Sequence, residues 1–146
     1  MNRTHNASHE SGWSALFLAW LISLVASGGA LFVGEIMGQA PCILCWYQRV
    51  FMFPLAVILA IAALSADNGI WRYALPLALG GLSIAGYHVL LYYGLIPEGI
   101  VPCGQGPSCA DAKMTVFGWV PLPVLSFAAF AAITILLHAI RRNTSK

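Results

Sequence analysis

Charge is what this sequence has least of: only 8% of its 146 residues are Asp, Glu, Lys or Arg, where soluble domains carry roughly a quarter. That shortage, set beside 60% hydrophobic residues, excludes water as the chain's main solvent. The net charge is only +2 and its Lys and Arg are dispersed. Nucleic-acid binding, which needs a clustered basic face, is therefore not expected. The chain also lacks a low-complexity tract, an internal repeat that would suggest inverted transporter halves, and a dinucleotide fingerprint.

What is present is four runs without Asp, Glu, Lys or Arg, at residues 11–34, 50–66, 73–97 and 114–140. About 20 apolar residues cross a hydrocarbon core as helix, so spans are expected near 13–33, 48–66, 73–95 and 119–140. They use up the chain, leaving no segment for a soluble domain. The expected fold is all-α: one integral membrane four-helix bundle over residues 1–146 in a lipid bilayer, with two outer cysteine-bearing loops. A cleaved signal peptide is the alternative reading of the first run, but its length exceeds the usual apolar core of such signals.

With four spans, both termini and the middle loop share one side. That side holds Arg3, Arg72, Arg141, Arg142 and Lys146, and the other only Arg49 and Lys113. The positive-inside rule predicts cytoplasmic termini and outer cysteine loops. Trp13, Trp46, Trp71 and Trp119 fall near span ends, where amphipathic rings prefer the headgroup layer. Glu35 reads as another mark of the outer membrane edge. Pro54 and Pro76 read as first-turn features of the second and third spans, as do Pro121 and Pro123 of the fourth.

All four cysteines fall in the outer loops and none in a span: Cys42 and Cys45 in the first, Cys103 and Cys109 in the third. The first pair has the Cys-x-x-Cys spacing that suits rapid thiol exchange. The second, spaced by five residues among Gly104, Gly106 and Pro107, reads as a loop pair. Two stapling disulfides or a four-thiolate zinc site remain open on spacing alone. If a helix starts near Cys45, its dipole and Arg49, four residues on, both favour a thiolate there. Arg49 has a plainer reading too, as a membrane-edge side chain snorkelling to a lipid phosphate. His88 either lines a cofactor pocket or hydrogen-bonds a neighbouring helix.

The run Pro41-Cys42-Ile43-Leu44-Cys45-Trp46-Tyr47-Gln48-Arg49 resembles the signature of the disulfide bond formation protein B family, and the short BdbC-like type is nearest. Tyr87-His88, Pro102-Cys103, Cys109-Ala110, Phe117-Gly118, Leu122-Pro123 and Leu125-Ser126-Phe127 extend the resemblance over nearly the whole chain. The segment 104–108 is too short for the interfacial helix that longer members insert there.

The resemblance implies a protein-disulfide oxidoreductase with a quinone, ubiquinone or menaquinone, as acceptor. It also implies a thioredoxin-like (DsbA-like) dithiol oxidase as client. Cys42, Cys45, Cys103 and Cys109 are then catalytic, and no metal is expected. Cys103 would meet the client and Cys109 pass electrons to Cys42, while Cys45, Arg49 and His88 would face the quinone. Two thiols closing to a disulfide release two electrons, and a lipid-soluble acceptor reaches the site through the bilayer. Rival readings are a vitamin K type quinone reductase and a zinc-binding structural subunit, which metal analysis of the purified protein separates.

Overall fold

The computed structural model describes residues 3–97, 115–116 and 120–144. Four long helices dominate: α1 (Arg3–Leu31), α2 (Ile43–Ser65), α3 (Trp71–Tyr92) and α4 (Leu122–Thr144). At 1.5 Å per residue, 23 helical residues reach about 35 Å, enough for a hydrocarbon core of about 30 Å. The apolar stretches 12–36, 43–65, 68–92 and 122–144 are long and hydrophobic enough to cross a membrane, with mean hydropathies of 2.2, 1.8, 1.6 and 2.1. Each helix packs on the next and α4 closes the ring onto α1, so the fold is a membrane four-helix bundle.

The sequence makes this packing close. On α3 the buried positions Ala74, Ala78, Gly81, Ala85 and His88 recur at three and four residues, one face of the helix. Four of the five are small, and small side chains let helices approach where no water exists to drive association. At Gly81 the Phe130 ring of α4 fills the place a Cβ would take, and at Gly80 the Phe51 ring of α2 lies 2.7 Å from such a Cβ. Leu16, Leu55, Leu59, Ile133, Leu137 and Phe130 are fully buried in the core these helices share.

Capping marks the helix ends. α3 stops at a left-handed Gly94 (φ 71°), with Leu95 N–H donating to Leu90 O and Gly94 N–H to Leu91 O, the paired bonds of a Schellman turn. α2 ends on Ala66, held left-handed at φ 52° and ψ 31°, and Trp13 on α1 donates to Ala63 O near that end at 3.0 Å. Before α4, β1 (Thr115–Val116) and β2 (Val120–Pro121) form a two-stranded antiparallel ladder, which the charge pattern did not announce.

Three expectations change. α2 begins at Ile43, not near residue 48, so Cys45 lies in its first turn, inside the apolar stretch rather than in a loop. Pro54 is consequently three turns into α2 and Pro76 is the sixth residue of α3. They interrupt helix interiors, removing a donor from the backbone ladder, and only Pro123, second in α4, is a first-turn proline. Arg49 does not snorkel outward: it is 9% exposed and turned into the protein.

Candidate functional site

The site is built where α2 starts. Cys42 is the N-cap of α2, extended at φ −67° and ψ 167°, and its carbonyl accepts the first helical bond from Trp46 N–H at 3.1 Å. One turn of helix then brings Cys45 under it, with the Cys42 thiol donating to Cys45 Sγ at 3.1 Å. Both are thiols, Cys42 buried and Cys45 partly exposed.

His88 approaches from α3, carried inward by the small-residue face that buries Ala74 to Ala85. Its Nε2 is 3.8 Å from Cys42 Sγ, and its Nδ1 is 3.0 Å from Gln48 Nε2. Gln48 was quoted in the motif without a role. The spacing Leu44, Gln48, Met52, Leu55, Leu59 places it on the buried face of α2, and that period was the available signal. Cys42, in the turn before α2, has its thiol pushed up to about 12, first by the hydrogen bond to Cys45 and next by burial, while His88 pulls the other way.

Arg49 is fixed from the α1 side. The last turn of that span is a π turn, Phe32–Ile36, and such wide turns recur at functional sites. Arg49 Nη2 donates to Ala30 O at 2.6 Å, and the guanidinium lies 5.3 Å from the Trp46 ring centre. A Cβ at Gly34 would stand 2.8 Å from the guanidinium nitrogen. Glycine is thus what lets the cation lie against the backbone of α1.

Cys45, Gln48, Arg49 and His88 all line one cavity of about 1130 Å³ between α1, α2 and α4. Its other walls are almost wholly apolar, among them Ile22, Met52, Phe53 and Leu122. Gly28 and Gly29 line it too, with nothing within 4 Å of where their Cβ atoms would be. Gln39, also on the wall, has a buried Oε1 without a hydrogen-bond donor among the described residues. Thus Cys42, Cys45, Arg49 and His88 come together at one end of the bundle, whereas Cys103 and Cys109 lie outside the described residues, as do Phe117, Gly118 and Trp119.

A half-buried dithiol at a helix start, beside a large apolar cavity in a four-span bundle, defines a membrane protein built for thiol chemistry. The sequence profile described as "Disulfide bond formation protein DsbB" matches residues 12–140, and the chain belongs to this family of membrane disulfide-forming oxidoreductases. It is 58% identical to a "Probable disulfide formation protein" of Metapseudomonas resinovorans, over 91% of this chain and 93% of that one. A "Probable disulfide formation protein" of Deinococcus radiodurans is 44% identical, over 89% and 90% respectively. "Disulfide bond formation protein C" of Bacillus subtilis is 36% identical, over 90% and 95%. No solved structure matches the chain.

Proposed function

We propose that the protein reoxidises an extracytoplasmic thioredoxin-like (DsbA-like) dithiol oxidase and passes the electrons to membrane ubiquinone or menaquinone. The observation that carries this reading is that Cys45, Arg49 and His88 line one large apolar cavity beside the half-buried dithiol. The cavity exceeds the usual range of small-ligand pockets, roughly 300–1,000 Å³, and combines apolar walls with a few polar groups at one end. That suits a polar ring carrying an apolar tail. The donors of Arg49 and Gln39 Oε1, unpartnered among the described residues, give such a ring both kinds of hydrogen-bond partner.

The balance is simple. A client dithiol reduces a Cys103–Cys109 disulfide by thiolate attack at Cys103 through a mixed disulfide, and the Cys103–Cys109 dithiol so formed is reoxidised as Cys109 attacks Cys42 and reduces the Cys42–Cys45 disulfide. Bound quinone supplies an acceptor for the two electrons and two protons released when the pair closes again. The protein's own part is positional. Cys45 presents sulfur to the cavity, Arg49 supplies a fixed positive charge, and His88 Nε2 faces Cys42, able to take its proton when Gln48 turns its amide to offer Oε1 to an Nδ1–H. Cytoplasmic termini and outer cysteines complete this reading, supported by the division of Lys and Arg between the two sides.

The deciding experiment mixes the protein anaerobically with a reduced thioredoxin-like oxidase and a short-chain quinone. Stoichiometric quinol with one client disulfide per turnover is expected. Client oxidation that proceeds equally without quinone refutes the reading.

A further inference from the structure

Cys42 Sγ, Cys45 Sγ and a ring nitrogen of His88 all lie within 4.8 Å of one another. Two come from the first turn of α2 and its cap, the third from α3, and two of the three residues are buried. We propose that the reduced dithiol and His88 form a site for a thiophilic, tetrahedral cation of the Zn²⁺ type, one that exists only while the pair is reduced and holds it out of the redox cycle.

The geometry supports a small, soft ion. With metal–sulfur bonds of about 2.3 Å and metal–nitrogen bonds of about 2.0 Å, tetrahedral zinc spaces its donors by roughly 3.5–3.8 Å. Here the sulfurs are 3.1 Å apart and Cys42 Sγ is 3.8 Å from Nε2. The sulfurs have to part by about 0.7 Å and Cys45 and His88, within 4.8 Å of each other, to draw together by up to about 1.3 Å, movements within reach of side-chain rotation. Two thiolates and one neutral imidazole give a complex of zero net charge with a divalent ion, the charge state a buried apolar site tolerates. Binding releases the two thiol protons and changes no oxidation state. With no carboxylate in the group, the donors select against Mg²⁺ and Ca²⁺, which prefer oxygen.

Gln48 fits the part of an outer partner. A ligating histidine needs its other nitrogen held, and Gln48 lies 3.0 Å from Nδ1. A half-turn of its amide offers Oε1 to an Nδ1–H, the tautomer that frees Nε2 to bind metal. The fourth coordination position faces the cavity that Cys45 and His88 line, so the bound ion carries water or another small ligand there. In the disulfide form the two sulfurs are bonded to each other and the site is gone. Nothing in this proposal requires the acceptor to be a quinone.

The test uses detergent-solubilised full-length protein carrying Cys103→Ser and Cys109→Ser, so that thiolate signals report only Cys42 and Cys45. Anaerobic Co²⁺ titration of the reduced protein should give one equivalent bound, with a thiolate-to-cobalt charge-transfer band, tetrahedral visible bands and displacement by Zn²⁺. The same protein oxidised beforehand should give none, a comparison that needs no substitution at the site. His88→Ala should weaken binding at least tenfold and Gln48→Ala by about tenfold, whereas the exposed His138→Ala should leave it unchanged. The proposal is overturned if reduced protein shows no charge-transfer band, if oxidised protein binds equally, or if His88→Ala and His88→Gln both bind as tightly as the parent.

Discussion

The two ends of this bundle are made from similar residues and treated differently. Around Leu59, Ala74 and Leu137, and up to Phe130 at mid-bundle, the helices are packed shut, with exposures of zero. Around Cys42 the same helices bury Gln48, Arg49 and His88 and leave a cavity beside them. Two glycines state the contrast. Gly81 is a contact, occupied by the Phe130 ring, and Gly29 is a clearance with nothing near it. The closed end supplies the packing that holds four helices in register, and that rigidity lets the other end keep polar groups and open space on one wall.

The largest effect expected from breaking this contrast is in the packed interior. Gly81→Leu forces a branched side chain into the Phe130 ring and should cost about 3 kcal/mol or more, read as lost thermal or denaturant resistance in detergent. Adding Phe130→Ala should restore part of it, since the two sites share one space. Equal losses in single and double variants would show that the ring is not what Gly81 accommodates.

At the open end, Arg49→Gln removes a charge-assisted bond to Ala30 O and the cation on the cavity wall. Such bonds are worth about 1.5–3 kcal/mol, so quinone-dependent turnover should fall roughly 10- to 100-fold while exchange between client and Cys103 persists. Lys should rescue only partly, lacking the planar fork of donors. Unchanged quinone dependence in Arg49→Gln reduces this residue to a structural tie between α1 and α2. A milder probe is Gly29→Leu, which puts a side chain into free space. Stability should stay within about 0.5 kcal/mol, while the apparent KM for quinone rises about tenfold. Normal kinetics in a stable Gly29→Leu protein would separate the cavity from the reaction.

How far the sequence announced these two ends follows from what each rests on. Four charge-free runs sufficed for the helices, because a bilayer penalises charge wherever it falls. The same rule misplaced the start of α2. Gln48 and Arg49 looked like the edge of a span, yet each is satisfied inside the protein, by His88 and by Ala30 O, so the helix continues through them to Ile43. The cysteine pair and His88 were legible as residues. Their meeting was not, because it depends on the register of α2 against α3, set by glycines and alanines that carry no chemistry. The cavity and the π turn beside it were silent for a similar reason: a space has no residues, and Gly28 and Gly29 read equally well as tight contacts.

The dithiol responds to pH as well. Cys42 is pushed up to about 12, so its thiolate is scarce at neutral pH and grows about tenfold per unit until that value is approached. Alkylation of the reduced pair by a small reagent, mapped by mass spectrometry, should therefore mark Cys45 first. Labelling of Cys42 should climb steadily through pH 8 to 10. His88 lowers the Cys42 value, so His88→Ala should slow that labelling further at each pH. A plateau below pH 9 would place the thiolate on Cys42 and invert the assignment.

The smallest effect returns to the closed end, where α2 stops at Ala66 with φ 52° and ψ 31°. Left-handed backbone costs an L-residue roughly 1–2 kcal/mol because Cβ crowds the following carbonyl, and glycine is the usual residue at this position after a helix. Ala66→Gly removes the crowding but gives the unfolded chain more freedom, so a net gain of about 0.5–1 kcal/mol is expected. Thermal unfolding should shift upward with turnover unchanged, because Ala66 sits at the opposite end of α2 from Cys42. Ala66→Val, with a branched Cβ, should shift it downward. Should glycine lower stability instead, the turn before Asp67 draws on the methyl group for packing, and the closed end would be tighter at its rim than Ala66's exposure indicates.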